Sequence, residues 1–147
     1  CGAIEECSLE EAKAQFSTNY FGAVRMCKGV LAGMRQQGAG KIINISSGVA
    51  DNAEPFAGHY TASKHALEGF SEALYQEVHG MGIQVHIVAP GWFATSIIRD
   101  ASAARGSLQP YEAIKGRALA AARGPRRPRG PAPAPAPPAA SAGPSST

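Results

Sequence analysis

The stretch Asn44–Lys64, NISSGVADNAEPFAGHYTASK, indicates the fold to expect for the chain around it. It begins inside KIINIS (residues 41–46), a short β-branched run that is typical of a buried strand. A loop containing proline and glycine follows. The next residues predict a helix over about 59–78 that ends at Gly80, because their apolar residues recur at spacings of three and four.

The flanking segments extend this alternation of helix and strand. Upstream, Ser8 and Glu11 form a capping box for a helix that runs to about Arg35, where the glycines of QQGAGK end it. Downstream, IQVHIVAPG (residues 83–91) predicts a second strand, closed by Pro and Gly. Strands separated by helices of this length favour right-handed crossovers and an α/β fold whose parallel sheet is covered on both faces.

The composition changes near residue 117. Eight of the eleven prolines and no aromatic residue lie beyond it. Such a segment buries too little apolar surface to offset its ordering entropy, so we predict a domain at 1–116 and a disordered Pro/Ala/Arg-rich tail at 117–147. The tail is interpreted as a solvated segment, a Pro-rich ligand for an aromatic groove, or out-of-frame translation of GC-rich DNA. The abrupt change favours the third interpretation over the second.

The net positive charge of the chain comes from that tail. Of 14 Lys and Arg residues, five lie from Arg117 onward, where no acidic residue occurs, so nine basic residues face eleven acidic ones in the rest. A body with this balance is not expected to bind nucleic acid. No apolar run approaches the about 20 residues that span a bilayer, so no membrane partner is expected. Cys1, Cys7 and Cys27 are interpreted as free thiols of a reducing compartment, which predicts a cytoplasmic protein.

The helix predicted at 59–79 has two sides that are expected to be buried. Larger apolar residues occupy one side: Leu67, Phe70, Leu74 and Val78. Small residues occupy the other: Ala62, Ala66, Gly69 and Ala73. We infer that the first side covers the sheet and that the second meets a partner helix, which predicts a homo-oligomer through the helices at 8–35 and 59–79. Alternatively, the small side is covered within the same monomer.

Polar residues are predicted to converge where the strands end. Ligands bind at the carboxyl ends of the strands in open parallel sheets. Ser47 follows one strand, and a Pro-Gly pair ends the other. Tyr60 and Lys64 are four positions apart, so they share one face of the helix. A Ser, a Tyr and a Lys are therefore expected beside the strand ends.

This combination suits proton transfer at an oxygen atom. An ammonium group favours the charged form of a nearby phenol, which lets a tyrosine exchange a proton with an alcohol or carbonyl. A serine hydroxyl can hold the substrate oxygen. Each feature alone is weak, because a half-buried Tyr beside a snorkelling Lys, or a serine in a turn, is common. The four histidines show no metal-ligand spacing, and no metal site is expected.

The order and spacing of these residues are more specific than any one of them. Tyr60 follows Ser47 by thirteen positions, and Lys64 follows Tyr60 by four. INISS, YTASK, APGWFAT and STNYFG resemble the strand-end Ser, the Tyr-x-x-x-Lys, the Pro-Gly-x-x-x-Thr and the Asn-bearing stretch of the short-chain dehydrogenase/reductase family. The resemblance covers residues 2–95. It implies a partial Rossmann-like, doubly wound parallel sheet and an NAD(P)-dependent oxidoreductase acting on a small alcohol or ketone.

The resemblance also implies a role for each matching residue. Tyr60 is the general acid/base, Ser47 orients the substrate, and Lys64 stabilises the Tyr60 phenolate and binds the nicotinamide ribose. Asn19 holds a water of the proton relay through its backbone carbonyl, at a local irregularity in the first helix. Cofactor binding is assigned to Tyr60, Lys64, Pro90, Gly91, Phe93 and Thr95. Trp92 joins Ser47 and Tyr60 as a candidate substrate contact.

Two family stretches do not occur in the 147 residues: the Gly-rich dinucleotide turn and the Asn-Asn-Ala-Gly run. We therefore expect the chain to begin near the end of the family's fourth strand, and on its own to bind dinucleotide weakly and be inactive. NAD and NADP are not distinguished. A non-catalytic interaction protein, using its helices for subunit contact and presenting the Pro-rich tail, is the alternative from another class.

Overall fold

A computed structural model of the protein describes residues 2–91 and 105–122. Within these residues the longer elements are α1 (Leu9–Phe16), α2 (Gly22–Gln37), β1 (Gly40–Ile45), α3 (Gly58–Val78), β2 (Ile83–Val88) and α4 (Gln109–Ala122). A π-helical segment, Ser17–Phe21, joins α1 to α2. Short 3-10 turns lie at Gly48–Ala50, before α3, and at His79–Met81, after it.

The first helical region begins at the predicted capping box. Ser8 Oγ accepts a hydrogen bond from the Glu11 amide at 3.2 Å, and the Glu11 carboxylate accepts one from the Ser8 amide at 2.8 Å. The region ends at Gln37, where Gly38 adopts a φ of +64°. Glycine reaches this left-handed conformation at little steric cost, so the predicted glycine end is confirmed.

The two strands are parallel neighbours, as predicted. Gly40 pairs with Ile83 and Ile45 with Val88. Helices cover one face over a core formed by Cys27, Ile42, Leu74, Val78 and Ile83. The described residues leave the other face open, because the side chains of Ile43 and Ile45 are 54% and 52% exposed. Cover on both faces was predicted, and the described part of the chain provides it on one.

Helix α3 ends at Val78, which is the predicted last residue. The glycine in the left-handed conformation is Gly82, with a φ of +76°, and not Gly80, which was expected to end the helix. The reason is the 3-10 turn at His79–Met81, which carries the chain three residues further before it reverses. A Cβ on Gly82 would collide with the carbonyl oxygen of Gly38, so the two glycine turns lie against each other at the amino end of the sheet.

The two sides of α3 are distinct in the structure. The buried side carries the predicted Leu67, Leu74 and Val78, together with the buried Ser63 and Ser71. Phe70 is half-buried and packs against the same core. The small residues lie on the surface of the described part: Ala62, Gly69 and Ala73 are exposed and Ala66 is half-buried.

Helix α4 was not predicted. It runs from Gln109 to Ala122, so residues 117–122 are helical although they were assigned to the tail. Ala, Leu and Arg, which make up these six residues, are strong helix formers. The rest of the predicted tail, 123–147, lies outside the described residues. None of the described helices combines the length and apolarity needed to cross a bilayer.

Candidate active site

Lys64 fixes α3 to the carboxyl end of β1. Its Nζ donates a hydrogen bond of 2.8 Å to the carbonyl oxygen of Ile45, the last residue of the strand. The side chain is half-buried, and desolvation lowers the pKa of this ammonium below its ordinary value. An ammonium has three N–H donors. Ile45 is its one hydrogen-bond acceptor among the described residues, which leaves donors for a ligand.

Tyr60 lies one turn before Lys64 on the same side of α3. The Lys64 Nζ is 5.9 Å from the centroid of the Tyr60 ring. An ammonium at this distance is attracted by the negative face of the ring. The neighbourhood predicted from the four-residue spacing is therefore present, and the Lys64–Ile45 hydrogen bond places it beside the end of β1.

Ser47 lies at the same edge of the sheet. Its Oγ accepts a long hydrogen bond of 3.5 Å from the Val49 amide, and the 3-10 turn that it caps packs against α3. The Gly48 amide donates to the Pro90 carbonyl oxygen at 3.0 Å. The loops that follow β1 and β2 are thus joined, and the Ser47 hydroxyl keeps its own proton available as a donor.

Asn19 lies within the π-helical segment, which is the local irregularity that the resemblance implied. Its Nδ2 donates to Ser63 Oγ at 3.0 Å, and Ser63 Oγ donates to the Tyr60 carbonyl oxygen at 2.7 Å. Ser63 is fully buried. The Asn19 side chain is therefore tied to the turn of α3 that carries Tyr60. The sequence interpretation missed Ser63; its signal was a small polar residue on the buried side of an apolar helix.

A second buried polar junction holds α2, β1 and α3 together. Asn44 Nδ2 donates to Ser71 Oγ at 2.8 Å, and Ser71 Oγ donates to the Leu67 carbonyl oxygen at 2.7 Å. The Cys27 thiol donates to Asn44 Oδ1 at 3.9 Å. Burial raises the pKa of Cys27, so this sulfur stays protonated as a donor. The junction fixes the position of α3 along β1, two turns from Lys64.

Two buried hydroxyl groups stand next to the site residues in sequence. Ser46 Oγ, beside Ser47, and Thr61 Oγ1, beside Tyr60, have no hydrogen-bond partner among the described residues. Unpaired buried hydroxyls are costly.

The sequence-predicted residues fall into two groups. Ser47, Tyr60 and Lys64 lie at the carboxyl edge of the sheet, with Asn19 joined to them through Ser63 and with Pro90 and Gly91 in the loop that follows β2. Trp92, Phe93 and Thr95 lie outside the described residues. No group of three or more His, Cys, Asp and Glu side chains within residues 2–91 and 105–122 could hold a metal ion.

Known proteins resemble this chain over most of its length. A family model described as short chain dehydrogenase matches residues 1–106. The 3-ketodihydrosphingosine reductase of Bacteroides thetaiotaomicron is 47% identical over 112 residues, which is 75% of this chain and 42% of that protein. Human retinol dehydrogenase 8 is 42% identical over 90 residues, 61% of this chain and 29% of that protein.

A solved structure shows the same fold. The crystal structure of a short-chain dehydrogenase from Streptomyces avermitilis superposes with a TM-score of 0.69 and 35% sequence identity. The match covers 82% of this chain and 46% of that one. The chain therefore spans less than half the length of each of these three relatives.

Proposed function

The chain belongs to the short-chain dehydrogenase/reductase family, and we propose that it forms the catalytic part of a nicotinamide-dependent oxidoreductase that acts on a small alcohol or ketone. One observation carries this proposal. The hydrogen bond from Lys64 Nζ to the Ile45 carbonyl oxygen holds the Tyr60–Lys64 pair at the end of β1, after which Ser47 follows.

The proposed chemistry is proton transfer at the substrate oxygen. The Tyr60 hydroxyl gives its proton to a ketone oxygen, or the Tyr60 phenolate takes one from an alcohol, while the Lys64 ammonium stabilises the negative charge on the phenol oxygen. The Ser47 hydroxyl donates a hydrogen bond that orients the substrate oxygen. Asn19 holds a relay water through its backbone carbonyl. Its side chain is already engaged with Ser63.

The residues present fit a nicotinamide ribose. The half-buried Lys64 ammonium keeps N–H donors beyond its bond to Ile45, as a ligand rich in hydroxyl groups requires. Tyr60, Lys64, Pro90 and Gly91 would hold the nicotinamide side, with Phe93 and Thr95 completing it from outside the described residues. The bound cofactor supplies or accepts the hydride. Either NAD or NADP suits this half of the site.

The test compares two tyrosines of α3. Tyr60→Phe and Tyr75→Phe remove the same hydroxyl group, and Tyr75 is 44% exposed. Both are made in the chain and in a chimera in which the amino-terminal half of the Bacteroides thetaiotaomicron relative precedes Gly2. Ketone-dependent oxidation of NADPH and NADH by the chimera is expected to fall about 10²–10⁴-fold with Tyr60→Phe and to be unchanged with Tyr75→Phe. Unchanged turnover in Tyr60→Phe would remove Tyr60 from this role.

The chain alone is proposed to bind dinucleotide weakly and to be inactive, because no Gly-rich turn occurs in its sequence. Isothermal titration with NADH and NADPH tests this directly. Submicromolar binding of either cofactor to the 147-residue chain would contradict it. The free thiols Cys7 and Cys27 support a cytoplasmic location for the protein.

We also propose a homo-oligomer through α2 and α3. On α2, Met26 is 71% and Val30 40% exposed, and the small side of α3 lies open on the described surface. Ala73→Glu, which places a charge on this side, is expected to dissociate the oligomer in light scattering, while Glu68→Gln, which changes one charge on another side of the same helix, leaves it intact. Retained self-association without turnover in the chimera would favour the alternative, a non-catalytic interaction protein.

A further inference from the structure

We propose that Glu6 is a positioning residue that latches the segment 105–118 onto the amino-terminal segment beside the start of α3. The latch consists of the Glu6 carboxylate and its three donors: the amides of Ala3 and Leu108 and the Lys115 ammonium. Its effect on substrate binding rests on the proposed function, whereas the latch itself does not.

The Glu6 carboxylate is fully enclosed. Its side chain has 0% relative exposure. One oxygen accepts from the Ala3 amide at 3.0 Å, and the other accepts from the Leu108 amide at 2.9 Å and from Lys115 Nζ at 2.8 Å. A buried carboxylate is tolerated when it is paired and hydrogen-bonded. Two of the three donors come from residues more than 100 positions away, so the burial of Glu6 depends on this docked segment.

The backbones of the two segments are in close contact. A Cβ on Gly106 would lie 2.6 Å from the Glu6 carbonyl oxygen, so only a glycine fits there without a shift. Two further carboxylates also bind the segment 105–118. Glu11 accepts from the Arg105 amide at 3.0 Å, and Glu5 accepts from the Tyr111 hydroxyl at 2.6 Å.

The amino-terminal segment also contacts the loop that leads into α3. The Gly2 amide donates to the Phe56 carbonyl oxygen at 3.0 Å, and Phe56 has a positive φ of 66°. A Cβ on Gly58 would lie 3.0 Å from Ile4. Residues 2–7 thus lie between segment 105–118 and the first turn of α3, which carries Tyr60. Glu6 is the buried polar group that joins residues 2–7 to segment 105–118.

Apolar packing contributes little to this docking. Leu108 is 39% and Ile114 is 44% exposed, so the apolar side chains of the segment face solvent to a large extent. The described charges around Lys115 are Glu6 and Glu112, the second at 3.1 Å. Loss of the Glu6 charge should therefore release segment 105–118 while the Tyr60–Lys64 pair, which Glu6 does not contact, stays in place.

Hydrogen–deuterium exchange of the 147-residue chain tests the latch without any need for activity. Glu6→Gln keeps the shape of the side chain and removes its charge; Glu10→Gln makes the same change at an exposed position. Amides of 109–118 are expected to exchange at least tenfold faster in Glu6→Gln and at the wild-type rate in Glu10→Gln, with β1 and β2 unchanged in both. Wild-type exchange of 109–118 in Glu6→Gln would overturn the proposal.

A second variant covers the case in which Glu6→Gln disturbs the whole chain. Lys115→Gln removes the partner from the outer side of the latch, where the Lys115 side chain is 23% exposed. The same local acceleration over 109–118 is expected. The double variant should exchange no faster than the faster single variant, since both remove the same Glu6–Lys115 ion pair. Additive acceleration, or none in Lys115→Gln, would overturn the latch.

The effect on substrate binding is measured in whichever protein has activity, the 147-residue chain or the chimera. Glu6→Gln frees segment 105–118 from residues 2–7, which contact the loop and the first turn of α3 around Tyr60, so it is expected to raise the KM for the ketone about tenfold. It should leave kcat within about twofold, because proton transfer by Tyr60 is untouched. Absence of turnover in the unmutated forms would defeat the proposed function and leave the exchange result standing. Faster exchange with an unchanged KM would keep the latch and overturn its role in positioning substrate.

Discussion

Helices α3 and α4 are attached to the rest of the protein by different kinds of contact. Helix α3 buries Leu67, Leu74 and Val78 against the sheet and adds buried serine hydroxyls that bond to neighbouring elements. Helix α4 leaves Ile114 44% exposed and is tied by carboxylates through Tyr111 and Lys115. From this difference we expect α3 to stay in place as long as the core is folded, and we expect the docking of α4 to depend on charge.

The largest expected effect is on the free energy of unfolding, and it comes from comparing a buried apolar side chain of α3 with an exposed one of α4. Leu74 is 5% exposed in the core, so Leu74→Ala should lower the free energy of unfolding by about 2–5 kcal/mol through lost burial and a residual cavity. Ile114→Ala on α4 should change it by less than about 0.5 kcal/mol. Urea denaturation followed by far-ultraviolet circular dichroism measures both. Equal losses would mean that α4 belongs to the same apolar core as α3.

A smaller effect is expected from a pair of serines. Ser71→Ala removes the acceptor of the buried Asn44 amide, which should cost about 1–3 kcal/mol. Ser107→Ala removes a surface hydroxyl that donates to Glu112 at 2.9 Å and should cost less than about 0.5 kcal/mol. In the same denaturation assay, combining Ser71→Ala with Asn44→Leu should recover part of the loss, because no amide is then left unpaired. If Ser107→Ala lowered the free energy of unfolding as much as Ser71→Ala, the expected difference between the buried serine and the surface serine would be wrong.

The same contrast explains how much of the structure the sequence could predict. Helix α3 was predictable because Leu67, Leu74 and Val78 recur with a helical period. That Tyr60 and Lys64 share one face of this helix followed from their four-residue spacing. Helix α4 has no such period, and its contacts join residues about 100 positions apart, which a local pattern does not contain.

Within the site, the sequence indicated the residue types but not the hydrogen bonds. A serine in a helix is compatible with solvent, a cap or a buried junction, so the one signal of Ser63 and Ser71 was their place on the buried side of an apolar helix. A local irregularity at Asn19 was expected through the family resemblance, whereas its π-helical form was not predicted. The hydrogen bond from Lys64 to Ile45 could not be predicted from the sequence, because it depends on how the helix packs against the end of the strand.

The smallest expected effect is a local response of α4 to acid. Hydrogen bonds from Lys115 and then from the Leu108 amide lower the pKa of Glu6 below its ordinary value of 4.5. A carboxylate with a lowered pKa in the folded state contributes stability above its unfolded pKa and loses it as the pH falls through the folded value. The docking of α4 should therefore persist from neutral pH down to about 4.5 and weaken below it, while α3 keeps its contacts.

Nuclear magnetic resonance can follow this release residue by residue. The amide signals of Ala3 and Leu108, which bond to the Glu6 carboxylate, should shift together at a pH below 4.5, and those of Leu67 and Leu74 in α3 should not. In Glu6→Gln this shared transition should disappear, because the side chain no longer titrates. Simultaneous loss of the α3 and α4 signals at one pH would show that the two helices form a single cooperative unit, since a latch held by charge must open before a core held by apolar burial.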